Sequence, residues 1–442
     1  MRMHWTCCGL GAAFLLAVPT LCFAGPGNGR PGTLAQERAA ARREGLPLTP
    51  REMHRKPVRD ADNAAPLYRK LTDLLNAKPI SREETEVVES DALKADAAPA
   101  DIAKAAAFFA QRKDVMDLIH RASERPECDF RRDWSQGPAL LFPEFAKLRR
   151  AARLLSCEAN VQLHGGDAVG ASRTCAAVGR IGRHASADSF LIAHLVDYAV
   201  EAIGMARLEA ILQRAPTPEV AAAVTSALRE YRPRPLSEAM RGEAVMGMVS
   251  LGMVRKDPSS LSSFVGGEED GKAGTGKPRL SNAMMDRNTE YLIWLYRAVY
   301  RTVDLPYPQA RRTLEALGAE LEARGKKGDP NVLLAAVLSP VYSQVVENLA
   351  RTRARRSALL AAATALTWRA RHGSLPRSLT ACMKAVPLDP FDGKPLRYRV
   401  EGKGFVIYSI GPTGKYAGAP KEEGKPYREV AVRWPAPAKA GR

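Results

Sequence analysis

The sequence predicts a mainly α-helical protein: an irregular bundle of packed helical hairpins that ends in a small α+β module, a long helix followed by a β-hairpin. Apolar residues that recur at steps of three and four along most of the chain indicate the helical body. A change of period near the C-terminus indicates the module, because a helix ends at His372-Gly373 and two strand-like runs flank Gly402-Lys403-Gly404.

Two segments precede the helical body. Residues 1–24 combine Arg2, a short apolar run and Ala24 ahead of Gly25, which is typical of a cleaved signal peptide and predicts export. The run is shorter than the ~20 residues of a membrane span, and an uncleaved anchor remains the alternative. Residues 25–62 are rich in Gly, Pro and Arg without a sustained period, which predicts a flexible basic arm with at most one short helix.

Residues 63–328 form the predicted helical domain. Ser81 with Glu84 is a capping box, and Thr217-Pro218 has the cap-then-proline order, so each marks a helix start. The polar, glycine-rich stretch 257–282 predicts a mobile loop, and 126–143 predicts an irregular segment. Apolar spacing predicts helices over 66–76, 81–94, 101–120, 144–163, 167–184, 189–214, 217–231, 236–254, 281–301 and 308–324.

The clearest helical hairpin joins 144–163 to 167–184, where small residues in both apolar stripes favour close packing. Cys157 and Cys175 lie on its two arms. In an oxidising compartment they can form a disulfide, whereas Cys175, in the apolar stripe, also fits a small buried hydrophobic residue. Both alternatives remain open.

Residues 329–417 form the predicted C-terminal module, followed by a flexible tail at 418–442. A long helical run begins after Asp329-Pro330, and Pro340 is expected to kink it or end a first helix. In the first strand Leu396, Tyr398 and Val400 share one face, opposite Arg397 and Arg399. Because an isolated hairpin is marginally stable, we expect the apolar face to pack on the long helix.

Four short motifs in this module resemble the C-terminal region of the type II secretion major pseudopilin. They are Gly373-Ser374-Leu375-Pro376, Asp389-Pro390, Leu396-Arg397-Tyr398 and Tyr408-Ser409-Ile410-Gly411. The resemblance implies an accessory role in a secretion apparatus. The family's N-terminal assembly helix has no counterpart, and residues 412–416 lack the carboxylates of its calcium loop. Residues 63–68 together with this ending also resemble a group of uncharacterised exported bacterial proteins, which implies no activity.

The formal net charge of +18 over 442 residues predicts attraction to anionic surfaces, such as lipid headgroups or envelope polymers. A protein partner in the envelope is also compatible with the sequence, whereas the export signal disfavours nucleic acid. The basic residues are densest in two groups: Arg38, Arg42, Arg43, Arg51, Arg55, Lys56 and Arg59, and Arg351, Arg353, Arg355 and Arg356.

Few residues suggest chemistry, and no motif indicates a cofactor. Asp197 and Glu201 lie four apart on one predicted helix face, where proximity raises the pKa of one carboxyl, and His194 lies one turn before them. Asp389 and Asp392 flank a turn and are candidate ligands of a hard cation, although calcium needs about six to eight oxygens.

The sequence therefore favours an exported, envelope-associated binding or scaffold protein over an enzyme. Two alternatives remain: an accessory component of a secretion apparatus, and a helical hydrolase or lyase that acts on an anionic polymer.

Overall fold

The computed structural model describes residues 31–53, 56–90, 94, 96–263, 281–339, 341–414 and 430–435. The predicted signal peptide, most of the predicted loop at 257–282 and most of the predicted tail at 418–442 lie outside these residues.

Helices dominate the described part of the chain, which confirms the predicted mainly α-helical class with a small C-terminal α+β part. The helices are α1 (Leu34–Arg43), α2 (Ala65–Ala77), α3 (Arg82–Glu89), α4 (Pro99–Gln111), α5 (Lys113–Ser123), α6 (Glu144–His164), α7 (Ala168–Ala185), α8 (Leu191–Arg214), α9 (Pro218–Leu228), α10 (Leu236–Lys256), α11 (Asn282–Thr302), α12 (Tyr307–Lys326), α13 (Leu333–Leu338), α14 (Tyr342–His372) and α15 (Leu379–Cys382). The strands are β1 (Arg397–Glu401), β2 (Gly404–Tyr408) and β3 (Ala431–Trp434).

The centre of the bundle is the group α6, α7 and α8, which pack side by side. Small residues allow the close approach that the sequence predicts. A Cβ atom at Gly204 of α8 would lie 1.9 Å from the hydroxyl oxygen of Tyr231, which donates to the carbonyl oxygen of Cys175 at 2.8 Å. The Tyr231 side chain therefore packs between α7 and α8, in space that a larger residue at Gly204 would occupy.

One predicted helix, over 101–120, is two helices. Arg112 leaves helical geometry at φ −115° and ψ 37° between α4 and α5. Its guanidinium donates to the carbonyl oxygens of Lys78 and Pro79 at 3.0 and 2.9 Å, at the C-terminal end of α2. The two short helices pack on different partners, α4 mainly on α6 and α5 mainly on α2, which a single apolar period does not reveal.

The predicted basic arm, which allows for at most one short helix, contains α1, and this helix is docked on the helical body. Thr33 and Gln36 form a capping box that starts α1, and α1 packs on α11. Arg297 of α11 bonds Glu37 and Glu44, both at 2.5 Å. Because Glu37 and Glu44 lie seven residues apart they share the face that meets α11, while the arginines of α1 point outward.

The long run after residue 330 divides as the proline predicts, since α13 ends at Leu338 and α14 begins at Tyr342. α14 ends at Gly373, whose φ of 72° is the left-handed geometry that glycine adopts readily. By length and composition alone, one described stretch, Leu333–His372, is apolar enough to cross a membrane, a test that core helices of soluble proteins also pass. In this structure α14 packs against α8, α9 and α12.

The predicted hairpin is part of a three-stranded antiparallel sheet in the order β1-β2-β3. β1 pairs with β2 from Arg397 opposite Tyr408 to Glu401 opposite Gly404. β3 comes from the region predicted as a flexible tail, so that prediction is wrong for residues 431–434.

The predicted facing of β1 is only partly correct. Leu396 is buried and the Tyr398 hydroxyl donates to the carbonyl oxygen of Pro376 at 2.9 Å, but Val400 is 45% exposed because it lies near the tip of the hairpin. α14 meets the sheet chiefly through β2 and β3.

The predicted boundary between residues 328 and 329 does not separate two cores. Leu359 and Leu366 of α14 share one buried cluster with Ile407 of β2 and with Met205 and Leu208 of α8. The described residues from Pro31 onward form one compact unit.

Candidate functional site

The predicted acid–base residues do come together, on one buried face of α8. His194, Asp197 and Glu201 are 0–1% exposed. Tyr198, which sequence spacing assigns to the apolar stripe of this helix, lies on the same face. It is 6% exposed, and its ring centroid is 6.4 Å from that of His194. The spacing of three, four and seven residues places all four side chains along one stripe of the helix.

The polar atoms of this stripe lack hydrogen-bond partners within the described part of the chain. This holds for both ring nitrogens of His194, both carboxyl oxygens of Asp197, the Tyr198 hydroxyl and one oxygen of Glu201. The nearby Ser186 hydroxyl lowers the pKa of Asp197. Its hydrogen bonds, however, go to the carbonyl oxygens of Gly182 and Arg183, both at 3.4 Å.

Burial controls the protonation of these groups. Desolvation raises the pKa of Asp197 to about 7, against the opposing effects of Ser186, Arg234 and Arg183. Desolvation, followed by the charge of Asp197, raises the pKa of Glu201 to about 8 against Arg356 and Arg353. Desolvation lowers the pKa of His194 to about 4. Near pH 7 the stripe therefore holds a neutral histidine beside a largely protonated Glu201 and an Asp197 that is about half protonated.

Carboxyl groups with such pKa values suit general acid catalysis at neutral pH, but access to them is closed. A Cβ atom at Gly182 of α7 would lie 2.3 Å from a carboxyl oxygen of Asp197, so α7 rests directly on that side chain. Of the arginines that act on the stripe, Arg183 belongs to the neighbouring α7. The others come from α14 and from the segment before α10, far along the chain, and no local sequence signal places them there.

A second buried histidine, His184, joins two segments of the core through hydrogen bonds. Its Nδ1 lies 2.9 Å from the Tyr68 hydroxyl, and its Nε2 lies 2.8 Å from the carbonyl oxygen of Arg125. With Nδ1 as acceptor and Nε2 as donor, the neutral ring bonds both groups and joins α2 and α7. Burial lowers the pKa of His184 to about 4, which favours this neutral form.

The two free cysteines of the hairpin are buried. Desolvation raises the pKa of both Cys157 and Cys175 to about 12. At neutral pH these groups are thiols, which are poor nucleophiles.

The predicted cation site at Asp389 and Asp392 is occupied by an arginine. Arg397 donates to a carboxyl oxygen of Asp389 at 2.7 Å and also bonds Asp392. Asp389 is fully buried and further accepts from the Ser409 hydroxyl at 2.8 Å and from the backbone N–H groups of Phe391 and Ile410 at 3.0 and 2.8 Å. The oxygens of Asp389 are thus already saturated, and the guanidinium supplies the positive charge expected of a metal ion.

Among the cavities of the described part of the molecule are three that the α8 stripe does not line. One of about 620 Å³ lies between α12 and the junction of α13 with α14. Another of about 360 Å³ lies near the Asp188–Arg132 ion pair, and a third of about 580 Å³ lies between α1, the segment after it, α10 and α11.

Comparisons with protein-family models, with curated proteins and with solved structures found no match.

Proposed function

We propose that the chain is an exported, envelope-associated binding or scaffold protein that attaches to anionic surfaces through its N-terminal basic segment. One observation carries the proposal: α1 is fixed to the helical body through Arg297, so its arginines are held together on the surface. These arginines and the basic residues that follow α1 are called the basic array. Arg38, Arg42, Arg43, Arg51 and Lys56 are all exposed.

The charges of this array are available for binding. Arg38, Arg43 and Arg51 make no ion pair with any residue that the structure describes, and Arg42 makes only a long one of 3.8 Å with Glu52. Each basic residue held near an anionic membrane contributes about 1 kcal/mol of attraction. An array of this size therefore supports binding that falls steeply as salt is added.

The test is co-sedimentation of the full chain with vesicles of phosphatidylcholine, alone or mixed with an anionic phospholipid, and with an insoluble anionic wall polymer. The variant Arg38→Glu/Arg43→Glu/Arg51→Glu is compared with Arg229→Glu/Arg312→Glu/Arg371→Glu, which removes the same charge from exposed arginines elsewhere.

We expect the first variant to bind anionic material at least tenfold more weakly than the wild type, and the second to lose much less. Equal losses would mean that total charge rather than this array determines attachment. Absence of binding by the wild type at low salt would refute the proposal.

A second candidate, a hydrolase or lyase that acts on an anionic polymer, is favoured by the raised pKa values of Asp197 and Glu201. The burial of both carboxyl groups weighs against it, because a polymer has to touch its general acid. Turnover of an anionic polysaccharide that Asp197→Asn abolishes, without loss of folding, would establish this candidate instead.

An accessory role in a secretion apparatus rests on the motifs shared with the pseudopilin C-terminal region. Co-purification of the full chain with secretion components, lost on substitution within β1 and β2, would support it.

A further inference from the structure

The cavity beside α1 combines an apolar floor with a cationic rim. Its volume of about 580 Å³ falls in the ~300–1,000 Å³ range of small-molecule sites. The floor consists of Leu34, Leu48, Met248, Val249 and Leu251, and the rim carries Arg38, Arg42 and Arg255 beside Glu52 and Asp286.

The rim charges do not cancel. Arg255 pairs with Asp286 at 2.6 Å and Arg42 approaches Glu52 at 3.8 Å. Arg38 also lines the cavity and pairs with no carboxylate in the part of the chain that the structure describes. One guanidinium at the mouth is thus left for an anion.

The floor is open along α10. An added Cβ atom at Gly252 would have no atom within 4 Å, and Gly252 lines the cavity one turn from Met248 and next to Leu251. Leu34 of α1 and Leu48 also line the cavity, so an alkyl chain bound there can contact apolar side chains of α1, of the segment after it and of α10.

We propose that this cavity binds a single-chain anionic amphiphile, with the alkyl chain along the floor and the anionic head at Arg38. An inorganic anion would leave the apolar floor empty, and a neutral amphiphile would leave Arg38 without a partner. This proposal specifies a ligand class within the proposed function. It rests on that function, under which the protein acts where such lipids are present.

The test is isothermal titration calorimetry of the full chain with decyl phosphate and octyl phosphate below their micellar concentrations. Burial of a methylene group is worth about a fourfold change in affinity, so decyl phosphate should bind roughly sixteenfold more tightly than octyl phosphate. Inorganic phosphate and decyl maltoside, which each supply only half of the ligand, should bind at least tenfold more weakly than decyl phosphate.

Two variants locate the site. Gly252→Leu places a side chain in open space within a helix, where leucine is a better helix former than glycine, so it should fold and abolish binding of decyl phosphate. Its matched control is Gly318→Leu on α12, which is equally open but lines the cavity of about 620 Å³. Arg38→Gln should weaken decyl phosphate about tenfold and leave decyl maltoside unchanged.

Three outcomes would overturn the proposal: binding of decyl phosphate by Gly252→Leu at wild-type affinity, loss of binding in Gly318→Leu instead, or inorganic phosphate binding as tightly as decyl phosphate. Vesicle binding separates this site from surface attachment. If Gly252→Leu still sediments with anionic vesicles but no longer binds decyl phosphate, both proposals stand; if the wild type binds vesicles but not decyl phosphate, only the cavity site fails.

Discussion

At the scale of single residues, the carboxyl groups of α8 tie the stability of the fold to pH. Their pKa values are raised in the folded protein, so the folded state holds protons that the unfolded chain releases above about pH 4. Stability is therefore greatest below that pH for these groups and falls as the pH rises towards 7–8. For Asp197, a rise from 3.8 to about 7 corresponds to roughly 4 kcal/mol.

The predicted consequence is that Asp197→Asn or Glu201→Gln flattens this loss between pH 5 and pH 8. The measurement is urea denaturation of each variant at several pH values in that range. Asp73→Asn, at an exposed carboxylate of α2, is the control and should keep the wild-type slope. A wild-type slope in both α8 variants would show that these carboxyl groups are ionised in the folded protein.

Arg397 is the second residue with a large predicted effect. From the sequence its side chain lies on the outer face of β1, where substitution should cost little. In the structure Arg397→Ala leaves the carboxylate of Asp389, 0% exposed, without its guanidinium. Because breaking a buried ion pair costs about 3–5 kcal/mol, and Asp389 keeps three other donors, we expect the low end of that range.

Chemical denaturation of the full chain measures this cost. Arg399→Ala, at an exposed arginine two residues along β1 that pairs with Glu401, is the matched control and should cost under about 1 kcal/mol. Tyr398→Ala should fall between them, at about 2 kcal/mol, since the ring is only half-buried. Equal costs at Arg397 and Arg399 would contradict the role assigned to Asp389.

At the scale of secondary-structure elements, glycine sets how closely α7 and α8 approach. A methyl group at Gly204 would overlap the Tyr231 hydroxyl, whose oxygen is 1.9 Å from that position. Gly204→Ala should lower the free energy of unfolding by about 1–3 kcal/mol, the usual cost of overpacking. Gly318→Ala, on the open side of α12, should raise it by up to about 1 kcal/mol. Thermal denaturation distinguishes the two, and an equal effect would mean that Tyr231 moves aside freely.

The docking of α1 depends on Arg297. Arg297→Ala removes both carboxylate contacts, so Glu37, buried against α11, loses its counter-charge. Amide hydrogen exchange over 34–43 should become at least tenfold faster, while exchange in α11 stays slow. Arg301→Ala, which removes one longer contact of 3.4 Å to Glu44, should change exchange little. Unchanged protection of α1 in Arg297→Ala would assign the docking to its apolar residues.

The elements that sequence predicts best are those with a long apolar period and a clear stop. α6, α7 and α14 are such cases, since Gly373 and the Gly165-Gly166 turn fix their ends. The sequence allows a short helix at α1 but does not reveal its docking, because its buried face consists of alanines and Glu37, which pairs with Arg297 of a helix some 260 residues away. β3 was missed because a long segment of the chain, and not a short turn, separates it from its pairing partner β2. Nothing in the local sequence therefore indicates this pairing.

The candidate site shows the same limit. Spacing alone places His194, Asp197 and Glu201 on one face of α8, as the structure has them. Spacing does not reveal that α7 covers that face, nor that Arg397 reaches the turn at Asp389. Both facts depend on which elements pack together, and local pattern carries no information on that choice.

At the scale of the whole molecule, the described residues from Pro31 onward share interlocking cores, and the C-terminal module depends on the rest. Leu359, Leu366 and Ile407 lie in one cluster with residues of α6, α7, α8 and α9. Removing those helices would expose the face of α14 that they cover. The hairpin would also lose β3 if the chain were cut at residue 416.

We therefore expect a fragment of residues 330–416 to remain unfolded, with no cooperative transition in urea, although its sequence pattern suggests an independent module. A fragment of residues 330–442 restores β3 and separates the two causes. It should also fail to fold, because the apolar face of α14 needs partners such as Met205 and Leu208 of α8. A cooperative transition in the longer fragment alone would show that β3 completes the module, and one in both would show that the pseudopilin-like end folds without the helical body.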